Sequence, residues 1–328
     1  MNEGDILLSS SAPIPIQEIK AAHSRIKDHV IRTPLVRLNL DDTSAEIYLK
    51  LENLQPIGAF KLRGVLNTIR LASEDQLADG VWTVSSGNTA QAVAWCAKLL
   101  GLRCTVGVME YSSEIKLAAI KRLGAKIIKL STEEIYEILL TTPEHEHMKG
   151  LFVNPFNDPR MMAGNGTISL EILEDLPQVD TVIAPWGGGG LSCGIASAFR
   201  SLKPEVKIYA SEVETGAPLN ASLSAGEPVE VEHSVSFVDG IGAPIVHPEM
   251  FTLAKQLLKG SYVVTLNEVT SAIKIIADRN HVIAEGAAAT PVAAALSGKA
   301  GSGKVVCVIS GGNIDSEKVA KILQGKTP

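Results

Sequence analysis

Apolar residues recur along this chain in two rhythms. Between residues 15 and 30, Ile16, Ile19, Ile26 and Val30 fall at helical spacing behind a proline, which predicts a helix that "RTPLVRL" then breaks. In "EIYLKLEN", Ile47, Leu49 and Leu51 alternate with Tyr48, Lys50 and Glu52, the pattern of a strand with one wetter face. Helical spacing resumes through Leu62, Val65, Leu66 and Ile69, which sets Lys61 at the first turn of a helix. From there the chain repeats a unit of strand, turn, helix and glycine stop. "VWTV" leads through "SSGN" into "TAQAVAWCAKLLG"; "RCTVGV" leads into a helix ending "AIKRLG"; "AKIIKL" is the next strand. The unit returns at "VDTVIAPW", "GGGG" and "LSCGIASAFRSL", followed by the strand "VKIYASE", and again at "KVVCVIS", "GGN" and "IDSEKVAKIL". Further helices are predicted in "NEVTSAIKIIADRN" and "GAAATPVAAAL". This is the grammar of an α/β protein built on parallel sheets, with no solenoid period.

Length and composition agree with that reading. A chain of 328 residues is long enough for two domains, and 45% hydrophobic content with only 4% aromatics and 28 glycines points to aliphatic strands and tight turns. The net charge of -6 carries no long run of one sign, so there is no basic footprint for nucleic acid or an anionic membrane, and small molecules are the expected partners. Cys96, Cys104, Cys193 and Cys307 lack C-x-x-C spacing and read as buried, reduced thiols. The start "MNEGDILLSSSAP" lacks the basic and apolar regions of a signal peptide, and no apolar run approaches the roughly 18 residues of a membrane span, so a cytoplasmic location is expected.

Three strand-to-helix turns are rich in Gly, Ser and Asn: "SSGN" at 85–88, "GGGG" at 187–190 and "SGGN" at 310–313. In a parallel sheet such turns lie at the carboxyl ends of strands and present free N–H groups at a positive helix end, which suits an anion. "GGGG" is the strongest of them, because four glycines cost more backbone entropy than a turn requires. Neither the P-loop nor the dinucleotide fingerprint is present. Lys61, in "QPIGAFKLRG", reads first as a surface charge. Its functional reading needs a lowered pKa, for which the helix N-terminus, Phe60 and the adjacent Arg63 are the expected causes. His145 and His147 in "EHEH" lack metal-ligand spacing and read as a solvated loop, and no G-x-S-x-G elbow supports triad hydrolysis.

Taken in order, "TPL" (33–35), "GAFKLRG", "SSGN.AQAVA", "NPFNDP", "AGNGTISLEIL", "GGGGL..GIA" and "SGGN" resemble the fold-type II pyridoxal-phosphate enzymes, in the serine/threonine dehydratase and serine racemase branch. The resemblance covers nearly the whole chain. It implies two open twisted parallel-sheet domains, as in the tryptophan synthase β-subunit, with pyridoxal 5'-phosphate in the cleft between them. Residues 1–77 and 158–328 would form the large cofactor-binding domain and 78–157 a small mobile one. It further implies that Lys61 carries the cofactor as a Schiff base, that Phe60 packs beside the ring and that Asn88 hydrogen-bonds the phenolic oxygen. Gly187, Gly188, Gly189, Gly190 and Leu191 would bind the phosphate, Ser310 would face the pyridine nitrogen, and Ser85, Ser86, Gly87 and Asn88 would cradle the substrate carboxylate. Lys61 would remove the Cα proton of a 3-hydroxy amino acid, and a neutral serine at the ring nitrogen would favour prompt loss of the β-hydroxyl, giving a 2-oxo acid and ammonia.

Several positions depart from the family's common motifs. Ile57 and Ala59 stand where relatives carry hydroxyls, Thr89 follows "SGN" in place of histidine, and Asn154-Pro155 replaces His-Pro. These departures put L-threonine in doubt and leave phenylserine or hydroxyaspartate open as substrates. Family members often hold a divalent cation through a Glu, a carbonyl and an Asp; here Glu212 and Gly216 match, but Pro218 stands at the Asp position, so a cation is not favoured. The end of the chain soon after "SGGN" leads to no expectation of end-product feedback control. A homodimer or larger homo-oligomer is implied. An amino-acid racemase using Ser86 as the second acid-base group is the rival activity, a β-replacement enzyme is disfavoured, and a non-catalytic ligand-binding α/β protein is the reading from another class.

Overall fold

The computed structural model describes residues 11–41, 43–112, 114–141 and 145–328; the acidic start at 1–10 and Glu144 of the "EHEH" segment lie outside the described residues. Helix α1 (Ile16–Ile26) is followed by two short strands, β1 (Leu35–Arg37) and β2 (Glu46–Lys50). Helices α2 (Lys61–Arg70) and α3 (Glu74–Leu77) lead into alternating units: β3 (Val81–Val84), α4 (Asn88–Leu100), β4 (Cys104–Met109), α5 (Glu114–Arg122), β5 (Lys126–Leu130), α6 (Thr132–Thr141) and β6 (Leu151–Phe152). The long helix α7 (Pro159–Asp175) returns the chain to β7 (Thr181–Pro185), α8 (Gly190–Leu202), β8 (Lys207–Val213) and α9 (Pro218–Ala225). The last part is α10 (Pro248–Leu257), β9 (Gly260–Val264), α11 (Leu266–Asn280), α12 (Gly286–Leu296), β10 (Lys304–Val308) and α13 (Ser316–Leu323).

The strands form two sheets. The larger runs β1-β2-β10-β7-β8-β9 and the smaller β5-β4-β3-β6. Every pairing is parallel except the edge pair β1 and β2. Helices cover both faces of the larger sheet, as the alternation of side chains shows. Val182, Ala184, Val306 and Val308 point into one core with α7, α8 and α10, while Ile183, Val305 and Cys307 point into the other with α11 and α12. On the smaller sheet, Val81, Val106 and Val108 meet α2 and α4 on one side, and Trp82, Val84 and Leu130 meet α6 on the other. All four cysteines are buried free thiols, and burial pushes their pKa values up, that of Cys104 to about 12. Among the described residues no helix is long and apolar enough to cross a membrane.

The expected wetter face of β2 is wet only at its start, where Glu46 is exposed and Tyr48 half-buried. Lys50 and, just beyond the strand, Glu52 are both 0% exposed. The reason is a buried ion network. Lys50 Nζ donates to Glu171 Oε2 at 2.5 Å and to the Thr33 carbonyl at 2.6 Å. Arg63 donates through Nε and Nη2 to Glu52, each at 2.8 Å, and through Nη1 and Nη2 to Glu171 at 2.7 and 2.9 Å. Burial alone would raise the Glu52 carboxyl pKa, but the guanidinium of Arg63 with Thr33 and Lys50 holds it below the usual carboxylate value. Alternation along a strand reports which face a side chain takes, and a charged residue on the inward face needs a partner from elsewhere in the fold.

Candidate active site

The turns after β3, β7 and β10 meet the segment after β2 at one cleft of about 330 Å³. Phe60, Lys61, Ser85, Ser86, Gly87, Asn88, Gly187 to Gly190, Leu191 and Ser310 all line it. Two sheets therefore contribute to one site through the carboxyl ends of their strands, where an open α/β sheet leaves its crevice.

Lys61 is held there by a short backbone ladder. Phe60 N–H donates to the Ser310 carbonyl at 2.9 Å, Gly312 N–H donates to the Gly58 carbonyl at 2.9 Å, and Ala59 bridges Gly311. The lysine is the first residue of α2, and its Nζ donates to the Pro155 carbonyl at 2.6 Å. Burial lowers its pKa to about 8, while the negative charge of Glu285 pulls the other way. Arg63, expected to help, does not. Two helical residues turn the side chain by roughly 200° around the axis, so Arg63 points away from the cleft into the ion network with Glu52 and Glu171.

The glycine turn opens α8. Gly189, at φ +90°, is the residue that caps it. A Cβ on Gly188 would lie 2.4 Å from the Phe156 side chain, and one on Gly190 would lie 2.5 Å from the Phe156 carbonyl oxygen. Glycine is thus required by close approach as well as by conformation, and the turn brings the unpartnered first N–H groups of a 13-residue helix to the cleft. The "SSGN" turn does the same for α4, with Gly87 preceding Asn88 and donating its N–H to Ser85 Oγ at 3.2 Å.

Two further polar side chains flank Asn88: Glu285, which lines the cleft and lies outside the turn motifs, and Asn313, which stands behind the lining. Glu285, 7% exposed, lies just before α12 and accepts from Asn88 Nδ2 at 2.9 Å on Oε1 and 3.2 Å on Oε2. Its signal in the sequence is a lone carboxylate inside the apolar run "VIAEGAAATPV". Asn313 closes the quoted "SGGN" turn, and its Nδ2 donates to Asn88 Oδ1 at 2.8 Å. Asp239 and an apolar wall of Met109, Ile135, Leu139 and Ile241 complete the lining; no local pattern marks them, since they converge from separate elements.

With this geometry in place, comparison with known proteins gives a consistent answer. Residues 26–311 match the family described as pyridoxal-phosphate dependent enzyme. The chain is 39% identical over 315 residues to an L-threonine ammonia-lyase of Thermotoga maritima, covering 94% of this chain and 78% of that protein. It is 35% identical to a catabolic L-threonine dehydratase of Staphylococcus aureus, covering 99% and 96%. Among solved structures, maize serine racemase superposes with a TM-score of 0.87 at 30% identity, covering 95% of this chain and 98% of that one. The chain belongs to the fold-type II pyridoxal-phosphate enzymes.

The residues present fit the family's cofactor. An amine of lowered pKa, a glycine cradle at a helix N-terminus and the buried hydroxyl-bearing Ser310 share one cleft, which is the donor set that an aldehyde, a phosphate and a pyridine nitrogen would need. The departures from the family's motifs mostly miss the cleft. Ile57 and Ala59 are buried in the apolar core between α2 and α4, because the ladder with residues 310–312 turns them inward. Asn154 accepts from the backbone N–H groups of Phe156 and Asn157 and so shapes its own turn. Thr89 alone of the changed positions reaches the lining.

Glu212 and Gly216 lie outside the cleft, and the carboxylate of Glu212 is already engaged. Its Oε1 accepts the Leu219 N–H at 2.8 Å; its Oε2 accepts the Asn220 N–H at 2.8 Å and the Ser261 hydroxyl at 2.6 Å. The carboxylate therefore faces the N-terminus of α9, whose first residue is Pro218, with no side-chain oxygen to offer. A hard cation takes roughly six to eight oxygens, and this arrangement does not fit one.

Proposed function

We propose that this enzyme is an ammonia-lyase (dehydratase) converting a 3-hydroxy amino acid with a small neutral side chain, L-threonine or L-serine, to a 2-oxo acid and ammonia. The observation that carries the reading is Lys61, a cleft lysine with a pKa near 8 placed between two helix N-termini. Pyridoxal phosphate, when bound, supplies the conjugated system that accepts the electrons left as the Cα–H bond breaks. Lys61 would hold the cofactor through its amine, and with that amine free it would take the Cα proton on Nζ. The amide N–H groups of residues 187–191 would bind the phosphate, Phe60 would pack against the ring, Ser310 would face its nitrogen and Asn88 would donate to its phenolic oxygen. The 85–88 turn holds the substrate carboxylate by backbone and hydroxyl donors. The proton held on Lys61 Nζ would pass to the departing β-hydroxyl, which leaves as water; the released enamine tautomerises to the imine, takes up one water and gives the oxo acid and ammonia.

The lining supports a neutral substrate side chain. Among its described residues Lys61 is the only base, while Asp239 and Glu285 are acids, so a second carboxylate as in hydroxyaspartate would meet repulsion without a partner. Met109, Ile135 and Leu139 offer an apolar wall for a methyl group. A cleft of about 330 Å³ is at the small end for ligand sites, and sharing it with the cofactor leaves little room for a phenyl ring. The dehydratase names of the relatives at 39% and 35% identity agree with this choice.

Ser86 in the same cleft, with the likeness to maize serine racemase, supports a second reading in which Ser86 returns a proton to Cα. One experiment separates the two. D- and L-forms of threonine, serine, phenylserine and 3-hydroxyaspartate are each incubated with enzyme, and oxo acid and residual chirality are measured together. Oxo acid chiefly from L-threonine and L-serine is expected. Scrambled chirality with little oxo acid would replace the lyase by the racemase, and activity chiefly on hydroxyaspartate or phenylserine would overturn the side-chain assignment.

A further inference from the structure

Which end of the Asn88 amide faces the cofactor decides what that residue can bind, because the oxygen only accepts and the nitrogen only donates. Two obligate acceptors settle the question from opposite sides. At one end, Asn313 Nδ2 donates to the Ile57 carbonyl oxygen at 2.9 Å. A backbone carbonyl has no proton to give, so Asn313 must turn its nitrogen there. The same nitrogen lies 2.8 Å from Asn88, which must then answer with its oxygen. At the other end stands the carboxylate of Glu285, which takes the Asn88 Nδ2 at 2.9 and 3.2 Å. Both constraints give the same order along the line Ile57, Asn313, Asn88, Glu285.

The backbone is arranged to keep these groups in place. Gly58, at φ +72°, has no Cβ, and one built there would lie 2.8 Å from Asn313 Oδ1. Gly312 N–H donates to the Gly58 carbonyl at 2.9 Å, and Glu285 N–H donates to the Gly311 carbonyl at 3.0 Å, so the loops that carry the line are tied to one another.

We propose that Asn313 and Glu285 are positioning residues that lock the Asn88 amide with its nitrogen toward the cofactor. Asn88 is thereby a donor to an anionic oxygen on the ring and is prevented from presenting its own oxygen there. The inference rests on the contact between Asn88 and the cofactor assigned above, and the test keeps the two apart.

Wild type, Asn88→Ala, Asn313→Asp and the double variant are prepared as holoenzymes. Pyridoxal-phosphate dissociation constants and visible absorption spectra are measured, with melting of each apoprotein as the check on folding. Asn313→Asp sets a carboxylate oxygen against the Ile57 carbonyl and the Asn88 oxygen, which favours the flipped amide. The expected result is affinity weaker by about ten- to a hundredfold, the size of a lost hydrogen bond to a charged group, with a shifted visible band and an apoprotein that melts like wild type. In the Asn88→Ala background the same change should cost nothing further, since there is no amide left to orient. Losses that multiply in the double variant, or wild-type affinity in Asn313→Asp, would overturn the positioning role while leaving the Asn88 contact intact. Full affinity in Asn88→Ala would remove the contact itself, and the positioning role with it.

Discussion

Lys61 must lose a proton before its nitrogen can attack an aldehyde, and burial brings that loss down to about pH 8 against the opposing charge of Glu285. The rate at which apoprotein takes up pyridoxal phosphate, followed by the growth of its visible absorbance, should therefore rise with pH and level off above about 8, short of the 10.5 of an ordinary lysine. Glu285→Gln removes the charge that favours the ammonium form, so the midpoint should move to lower pH; an upward movement would show that another group governs the lysine. Lys61, in its place between a Pro-Ile-Gly turn and a helix, reads first as a surface charge, and only the resemblance of the ordered motifs marks it for the cofactor. The cause of its lowered pKa was not legible either, because Arg63, its neighbour in the sequence, faces the other way once the helix forms. Ile57 and Ala59 teach the same lesson: four and two residues before Lys61 in the chain, respectively, they pack in the core and do not touch the cleft.

At the scale of the element, α2 is anchored at its first turn by the buried network of Arg63, Glu52, Glu171 and Lys50. Arg63→Met keeps the volume but leaves two carboxylates with one buried cation, and should cost about 3–5 kcal/mol in urea unfolding. The Glu52 carboxyl titrates below its ordinary value of 4.5 in the folded state, so its contribution to stability is complete above that pH and is lost as pH falls through the lower folded value. Acid unfolding of the wild type should steepen in that window, and Glu52→Gln should flatten it. The carboxylate of Glu212 plays a related part for α9. Because that carboxylate already accepts three hydrogen bonds, magnesium or calcium should leave the melting temperature of the apoprotein unchanged, and a clear rise with either ion would reveal a site elsewhere.

On the scale of the molecule, the two sheets divide the work. The glycine turn and Ser310 follow strands of the six-stranded sheet, while the 85–88 turn, Met109, Ile135 and Leu139 belong to the four-stranded one; Lys61 sits between them, because Phe60 is tied to Ser310 while the rest of α2 packs on the smaller sheet. We propose that the smaller unit closes on the larger when substrate binds, since a substrate held by its carboxylate on one side and by the cofactor on the other would draw them together. Hydrogen exchange of the holoenzyme with and without a non-reactive amino acid should show new protection in the N-terminal turn of α4 and around α6. Protection confined to residues 187–191 would argue against closure.

The periodicities of 3.6 and 2, the glycine turns and the order of the motifs are local properties, and local sterics and hydrogen bonding decide them, so the parallel α/β units and the glycine-rich turns at their helix N-termini could be read directly from the residues. What a residue touches across the fold is another matter. The burial of Lys50 and Glu52, the partners of Arg63, the arrival of Glu285 and Asn313 on either side of Asn88, and the apolar wall from β4 and α6 all join residues far apart in the chain. Only tertiary packing sets those distances, because burial makes an unpaired charge or amide costly and so selects the one arrangement in which each finds its partner.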